Sequence, residues 1–127
     1  MITVLPVLDK GELLDIYSKY NVQLSVNSSA TVARNGEQFL GVCLFEITKE
    51  DIIITELSPL DDLMLADGIL RSALHIADYR GIFKAYYNND NLAGVLKRLD
   101  FIKNEDEKSL KIEKLHQSSC NCEKNNK

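Results

Sequence analysis

Two hydrophobic periods alternate along this chain, and each change of period marks an element. Met1 to Val7 is a short run of β-favouring residues closed by Pro6, and it predicts a strand. Asp9 then stands three residues before Glu12, a capping-box spacing that starts a helix. Leu13, Leu14, Tyr17 and Tyr20 follow at helical spacing, with Asp15 and Lys19 one turn apart on another face, so Lys10 to Tyr20 packs one side inward. Val22, Leu24 and Val26 alternate with polar residues between Asn21 and Asn27, a stretch that reads as a half-buried edge strand or as a loop. Asn35-Gly36 is a pair that accepts positive φ in a tight turn, so Ala30–Arg34 and Gln38–Ile47 form a hairpin around it. After a further turn, Ile52–Leu57 is nearly continuous in apolar residues and predicts a central strand covered on both faces.

The period then lengthens. Leu63, Ala66, Ile69, Leu70, Ala73, Leu74 and Ala77 share one face of a long helix, while Asp67, Arg71, His75 and Asp78 lie largely on the other, and Arg80-Gly81 ends it. Phe83–Asn88 reads as a strand, Asn89–Leu99 as a helix with Leu92, Val95, Leu96 and Leu99 inward, and Ser109–Leu115 as a closing strand. Residues 1–116 make one domain, and the polar Asn- and Lys-rich residues 117–127 read as a disordered tail. The order gives an α/β fold: an antiparallel meander and a right-handed parallel βαβ unit in one mixed sheet, with helices on both faces.

Charge narrows the function. Fifteen basic against 19 acidic residues give a net charge of −4 and a pI of about 5.1, which argues against a nucleic-acid partner. No apolar run is long enough for a membrane span, and Met1–Pro6 lacks the charged start and apolar middle of a signal peptide, so a cytoplasmic protein is expected. Three cysteines make no disulfide framework: Cys43 sits in a predicted strand, where it reads as a small buried residue, and Cys120 and Cys122 lie in the tail. Two thiols by themselves do not complete a tetrahedral metal site.

The strand-to-helix junction at Ile52–Ile82 places free backbone N–H groups where they can receive an anion. That junction, the ILRSALHIADYRGI helix and the NDNLAGVLKRLDF segment resemble the GCN5-related N-acetyltransferase (GNAT) superfamily from Met1 to about Leu115. The resemblance implies an acetyl-CoA donor whose pyrophosphate rests on the loop opening the long helix, an amine acceptor that is a small molecule or a peptide, and a fold that admits a homodimer. Counting back from Arg80-Gly81 aligns Asp61–Ala66 with the family's Arg/Gln-x-x-Gly-x-Gly/Ala loop. Ala66 matches, Asp61 stands in place of the basic or amide residue, and Met64 in place of a glycine. Asn89 matches the asparagine that holds the pantetheine arm. Leu96 falls where the family has a proton-donating tyrosine, and Asp100 where it has a glycine. On this likeness Leu57, Ser58, Met64, Leu65, Ala66, Asp67, Gly68 and Asn89 are the candidate cofactor-binding residues.

Acetyl transfer needs a base for the amine proton and a donor for the oxyanion. Glu56, near the end of the central strand, is the candidate base, and a backbone N–H at or just past Leu57 the candidate donor. Plainer readings stand beside these. Glu56 also fits a hydrated strand-end acid, and Ser58-Pro59 with Asp61 fits an N-cap and capping box that satisfies the helix end without any ligand. Asp67 and Arg71 read as an exposed i,i+4 ion pair and His75 as a surface residue. Of Tyr86 and Tyr87, one lines the cleft and the other packs. Gly68 within the helix suggests close approach of the sheet or of a cofactor arm. The alternative to an enzyme is a catalytically degenerate domain on the same fold, acting as a regulatory or interaction module; the acidic helix mouth and Leu96 favour it.

Overall fold

The computed structural model describes residues 1–112. Its elements are β1 (Ile2–Pro6), α1 (Lys10–Lys19), β2 (Ser28–Asn35), β3 (Gln38–Ile47), β4 (Asp51–Ser58), α2 (Leu63–Tyr79), β5 (Lys84–Tyr87) and, after a 3-10 turn at Asp90–Leu92, α3 (Ala93–Arg98). The strands form one sheet in the order β1-β2-β3-β4-β5. Every pair is antiparallel except β4 and β5, because the crossover through α2 returns the chain in the same direction.

Two helical layers cover the sheet. On one face α2 and α3 bury Phe45, Ile52, Ile54, Leu57, Ile69, Leu70, Leu74, Leu92 and Leu96 in the larger core. On the other, Ile16 and Tyr17 of α1 pack on Ala30, Val32, Val42 and Leu44. The Tyr17 hydroxyl donates to the carbonyls of Ser29 at 2.7 Å and Phe45 at 3.0 Å, pinning α1 across β2 and β3. Gly36, at φ +63°, turns the β2–β3 hairpin as its Asn-Gly pair requires.

The stretch Asn21–Asn27, open in the sequence between edge strand and loop, is a loop and carries no ladder. Two expectations are corrected. β4 is covered on one face alone: α1 reaches only β2 and β3, so Ile53 and Thr55 stay half-buried on the side away from α2. The closing strand at Ser109 is reduced to an isolated bridge with Tyr86 and a few backbone bonds, among them the Leu110 amide to the Ala85 carbonyl at 2.8 Å. Its last residues, like the tail with Cys120 and Cys122, lie outside the described residues.

Candidate active site

β4 changes its facing half-way along. Leu44 pairs with Glu56 but Phe45 with Ile54, so Thr55 is an extra residue in β4, a β-bulge. A bulge shifts the two-residue alternation by one: Ile52 and Ile54 face α2, and so does Leu57 rather than Glu56. The sequence carries this signal as a change of spacing, from two residues between Ile52 and Ile54 to three between Ile54 and Leu57.

The bulge lies where the sheet divides. β5 accompanies β4 only as far as the Ile54–Tyr87 pair, after which the Asn88 amide donates to the Ile54 carbonyl at 3.1 Å and the chain turns away. Beyond that point Glu56–Ser58 pair with β3 alone. Alternation fixes which way their backbone points. The Val7 amide bonds the Ala30 carbonyl, and following the registers across β2 and β3 makes Glu56 and Ser58 the hydrogen-bonded partners of Leu44 and Val42. Leu57 therefore turns its N–H away from β3, into the opening. There the Glu56 carboxylate takes it, Oε1 accepting from the Leu57 amide at 3.1 Å.

Asn89 bridges the same opening. Its Nδ2 donates to the Thr55 carbonyl at 3.1 Å and its Oδ1 accepts from the Asn91 amide at 3.0 Å, so the side chain ties the bulge of β4 to the turn after β5. Thr55, which sequence reading did not single out, is thus the residue whose freed carbonyl positions Asn89.

From Ser58-Pro59 the chain crosses close over β3. A Cβ on Gly41 would collide with the Ser58 carbonyl oxygen and meet Pro59 Cδ at 2.8 Å, so the junction requires glycine there. The helix starts later than the Ser58 capping box implies: Asp62 is the N-cap, accepting from the Leu65 amide at 3.1 Å. Leucine at the third helical position gives no reciprocal bond, and the amides of Leu63 and Met64 have no acceptor among the described residues.

Helical rotation distributes the other candidate cofactor residues. Ala66 is buried against the sheet. Leu65 and Gly68 face a groove of about 550 Å³ bounded by Ile2, Val4 and Leu40, and Met64 stands at its rim. Asp67 lies on the opposite flank, with Leu63, Met64, Arg98 and Leu99 around a hollow of about 200 Å³. Its Oδ2 accepts from Arg71 Nε at 2.9 Å, and Oδ1 is buried with no hydrogen bond among the described residues. The pair is half-buried rather than exposed. Gly68 contacts no sheet residue, since a Cβ there would meet nothing within 4 Å. His75 is exposed. Leu96, at the position of the family's tyrosine, is wholly buried in hydrocarbon. Tyr87 packs, its hydroxyl donating to the Glu105 carbonyl at 3.2 Å, and Tyr86 is half-buried on the other face.

The fold as a whole superposes on solved structures. A ribosomal-protein-alanine N-acetyltransferase from Brucella melitensis biovar Abortus superposes with a TM-score of 0.57 at 11% identity, over 78% of this chain and 90% of that one. A GNAT family acetyltransferase from Elizabethkingia anophelis with acetyl-CoA bound gives 0.53 at 12% identity, over 79% and 74%. The fold is that of the GNAT acetyltransferases. A further structure, an aminoglycoside acetyltransferase from an uncultured soil metagenomic sample, matches at a TM-score of 0.57 with 10% identity over 84% and 88%. No known family's sequence profile matches the chain, and no curated protein matches it. GNAT likeness here is carried by backbone geometry. No helix among the described residues is long and apolar enough to cross a membrane.

Proposed function

We propose that the protein transfers an acetyl group from acetyl-CoA to an amine by direct attack in a ternary complex. One observation carries this reading: the Leu57 N–H is turned out of the ladder into the opening beside β5 and, among the described residues, is bonded only by the adjacent Glu56 carboxylate. The shared fold, and the acetyl-CoA bound to one neighbour, support it.

The residues present fit such a donor in this way. Leu57 gives its N–H to the thioester carbonyl and so releases Glu56, whose carboxylate then accepts the proton of the attacking amine. As the carbon–nitrogen bond forms, Leu57 holds the oxyanion; the carbon–sulfur bond then breaks, and coenzyme A leaves as a thiolate. Leu96 is closed in the core and has no proton to offer, so the proton that Glu56 took from the amine passes through water to the thiolate, which gives the free thiol and restores the Glu56 carboxylate. Asn89 keeps one Nδ2 hydrogen for the pantetheine arm, the other being held by the Thr55 carbonyl. The amides of Leu63 and Met64 face the pyrophosphate, and Leu65, Ala66 and Gly68 continue the helix whose dipole favours it. Asp62 and Asp67 oppose that anion, and Arg98, on the flank of Asp67, partly offsets them.

The acceptor is an amine on a small molecule or a peptide, as the names of the aminoglycoside and ribosomal-protein enzymes suggest. Thermal melting with millimolar acetyl-CoA tests binding, since a ligand at one hundred times its Kd stabilises by about 2.7 kcal/mol. Thiol release with polyamines, aminoglycosides and peptide amines then tests transfer. Glu56→Gln keeps an oxygen for the Leu57 amide but loses the base, so turnover should fall on the order of 10²–10⁴-fold while the acetyl-CoA shift persists. Full turnover in that variant removes Glu56 from the chemistry. No shift in the parent protein defeats the enzymatic reading and leaves a regulatory or interaction module.

A further inference from the structure

The sheet face opposite α2 is only partly covered, and Glu56 stands on the open part. α1 packs on β2 and β3, so among the described residues no helix lies over β4 and β5 on that side. Alternation places Glu46 there, since Leu44 joins the core under α1 while Phe45 joins the one under α2. The bulge turns Glu56 to the same side. The registers then set Glu46, Ile53 and Tyr86 in one row across β3, β4 and β5, with Glu56 opposite Leu44 in the next row.

Glu46 and Glu56 are therefore diagonal neighbours, a placement that spaces Cα atoms about 7–8 Å apart. Leu44, at one of the other two corners, is wholly buried, whereas Ile53 at the remaining corner and Tyr86 beside it are half-buried. The open way from one carboxylate to the other thus runs over the hydrocarbon of Ile53. Neither acid forms an ion pair among the described residues. Glu46 is steadied from the loop before β2, where its Oε1 accepts from the Ser25 hydroxyl at 2.8 Å, and its Oε2 has no hydrogen bond among the described residues. Lys84 shares this face two residues before Tyr86, where the register sets it opposite Asp51.

We infer that the acceptor is a short terminal diamine selected by Glu46, an inference that rests on acetyl transfer at Glu56. One nitrogen lies at Glu56, the carbon chain crosses Ile53 beside Tyr86, and the other nitrogen, as an ammonium, meets Glu46. A chain of about four or five carbons suits carboxylates on diagonal positions. The near nitrogen attacks as the free amine: its bond to the acetyl carbon forms, its proton passes to Glu56, and the carbon–sulfur bond breaks to release coenzyme A. The far ammonium keeps its charge and its hydrogen bonds throughout, so it contributes to binding and not to the chemistry. An apolar floor ending at an unpaired carboxylate complements such a chain, whereas a monoamine of the same length leaves Glu46 unmet.

Thiol release from acetyl-CoA with putrescine, butylamine and ethylenediamine in turn tests this. Putrescine should exceed butylamine in kcat/KM by about tenfold, the scale of one hydrogen bond to a charged group. Ethylenediamine, too short to span the two acids, should show no such advantage. Glu46→Gln keeps an oxygen for Ser25 and should bring putrescine and butylamine to the same kcat/KM, through the KM for putrescine, while the acetyl-CoA shift in Tm reports that the variant is folded. Equal loss for both amines in that variant would overturn Glu46 as the selector. Transfer to butylamine as efficient as to putrescine in the parent protein overturns the diamine and leaves acetyl transfer standing. No acetyl-CoA shift and no transfer to any amine defeats the enzymatic reading, and the diamine with it.

Discussion

Gly68 stands in the middle of α2 with open space where its side chain would be, and glycine there costs about 1 kcal/mol relative to alanine. Gly68→Ala should therefore raise the unfolding free energy by about 1 kcal/mol, read from urea denaturation of the protein without ligand. An unchanged or lower stability would mean that the helix needs the bare backbone. Gly41 is the opposite case, with carbonyl and proline atoms pressing on it from the Ser58-Pro59 junction. Sequence alone marks Gly68 as anomalous, because it interrupts a helical pattern, but leaves Gly41 unremarked inside a strand. Close approach is a property of two segments far apart in sequence, and no local pattern reports it.

At the scale of the element, α2 shows what capping decides. The hydrophobic period from Leu63 to Ala77 is clear in the sequence, but the cap read from it is Ser58, whereas the structure starts the helix from Asp62. With Ser58 held in β4 opposite Val42, its side chain is not at the helix end. Asp62 both completes the helix and sets a negative charge at the mouth proposed for a pyrophosphate, and these effects have opposite signs. Asp62→Ala should cost about 1 kcal/mol of stability and at the same time tighten acetyl-CoA binding, seen as a larger ligand-induced rise in Tm than the parent's. A smaller rise would show that the carboxylate assists the ligand. The bulge at Thr55 is the other element-scale device: the spacing of Ile52, Ile54 and Leu57 hints at it, and it turns the Leu57 amide and the Glu56 carboxylate toward each other.

For the whole molecule, both faces of the sheet bury an acid that must stay neutral. Burial, reinforced by the Glu56 carboxylate, holds the Cys43 thiol well above its ordinary value of 9.0. Burial likewise raises Tyr17 above 10.0, against the opposing bonds to Ser28 and Ser29. The unfolded chain loses these protons first, so it binds fewer protons than the native state above pH 9, and stability falls as pH rises. Urea denaturation should give a constant free energy from these two groups below pH 9. Above it, the decline should approach about 1.4 kcal/mol per pH unit for each group. In Cys43→Ala the decline should begin only as Tyr17 titrates, and an onset unchanged by that substitution would refute the assignment. What the sequence determined by itself is the order and type of the elements from β1 to α3, the tight turn at Gly36 and the buried face of α2, because periodicity and turn chemistry act between neighbours. Glu56 and Leu57 are legible as the end of the strand that feeds α2, whereas Asn89 is singled out only through the family resemblance. The tertiary structure alone decided that α1 covers β2 and β3 but not β4, that the Ser109 segment contributes a bridge instead of a strand, and that Met64 to Gly68 divide between two flanks of one helix. Those outcomes depend on which surfaces meet and on the direction of each backbone amide, and both are fixed only when strands distant in sequence come into register.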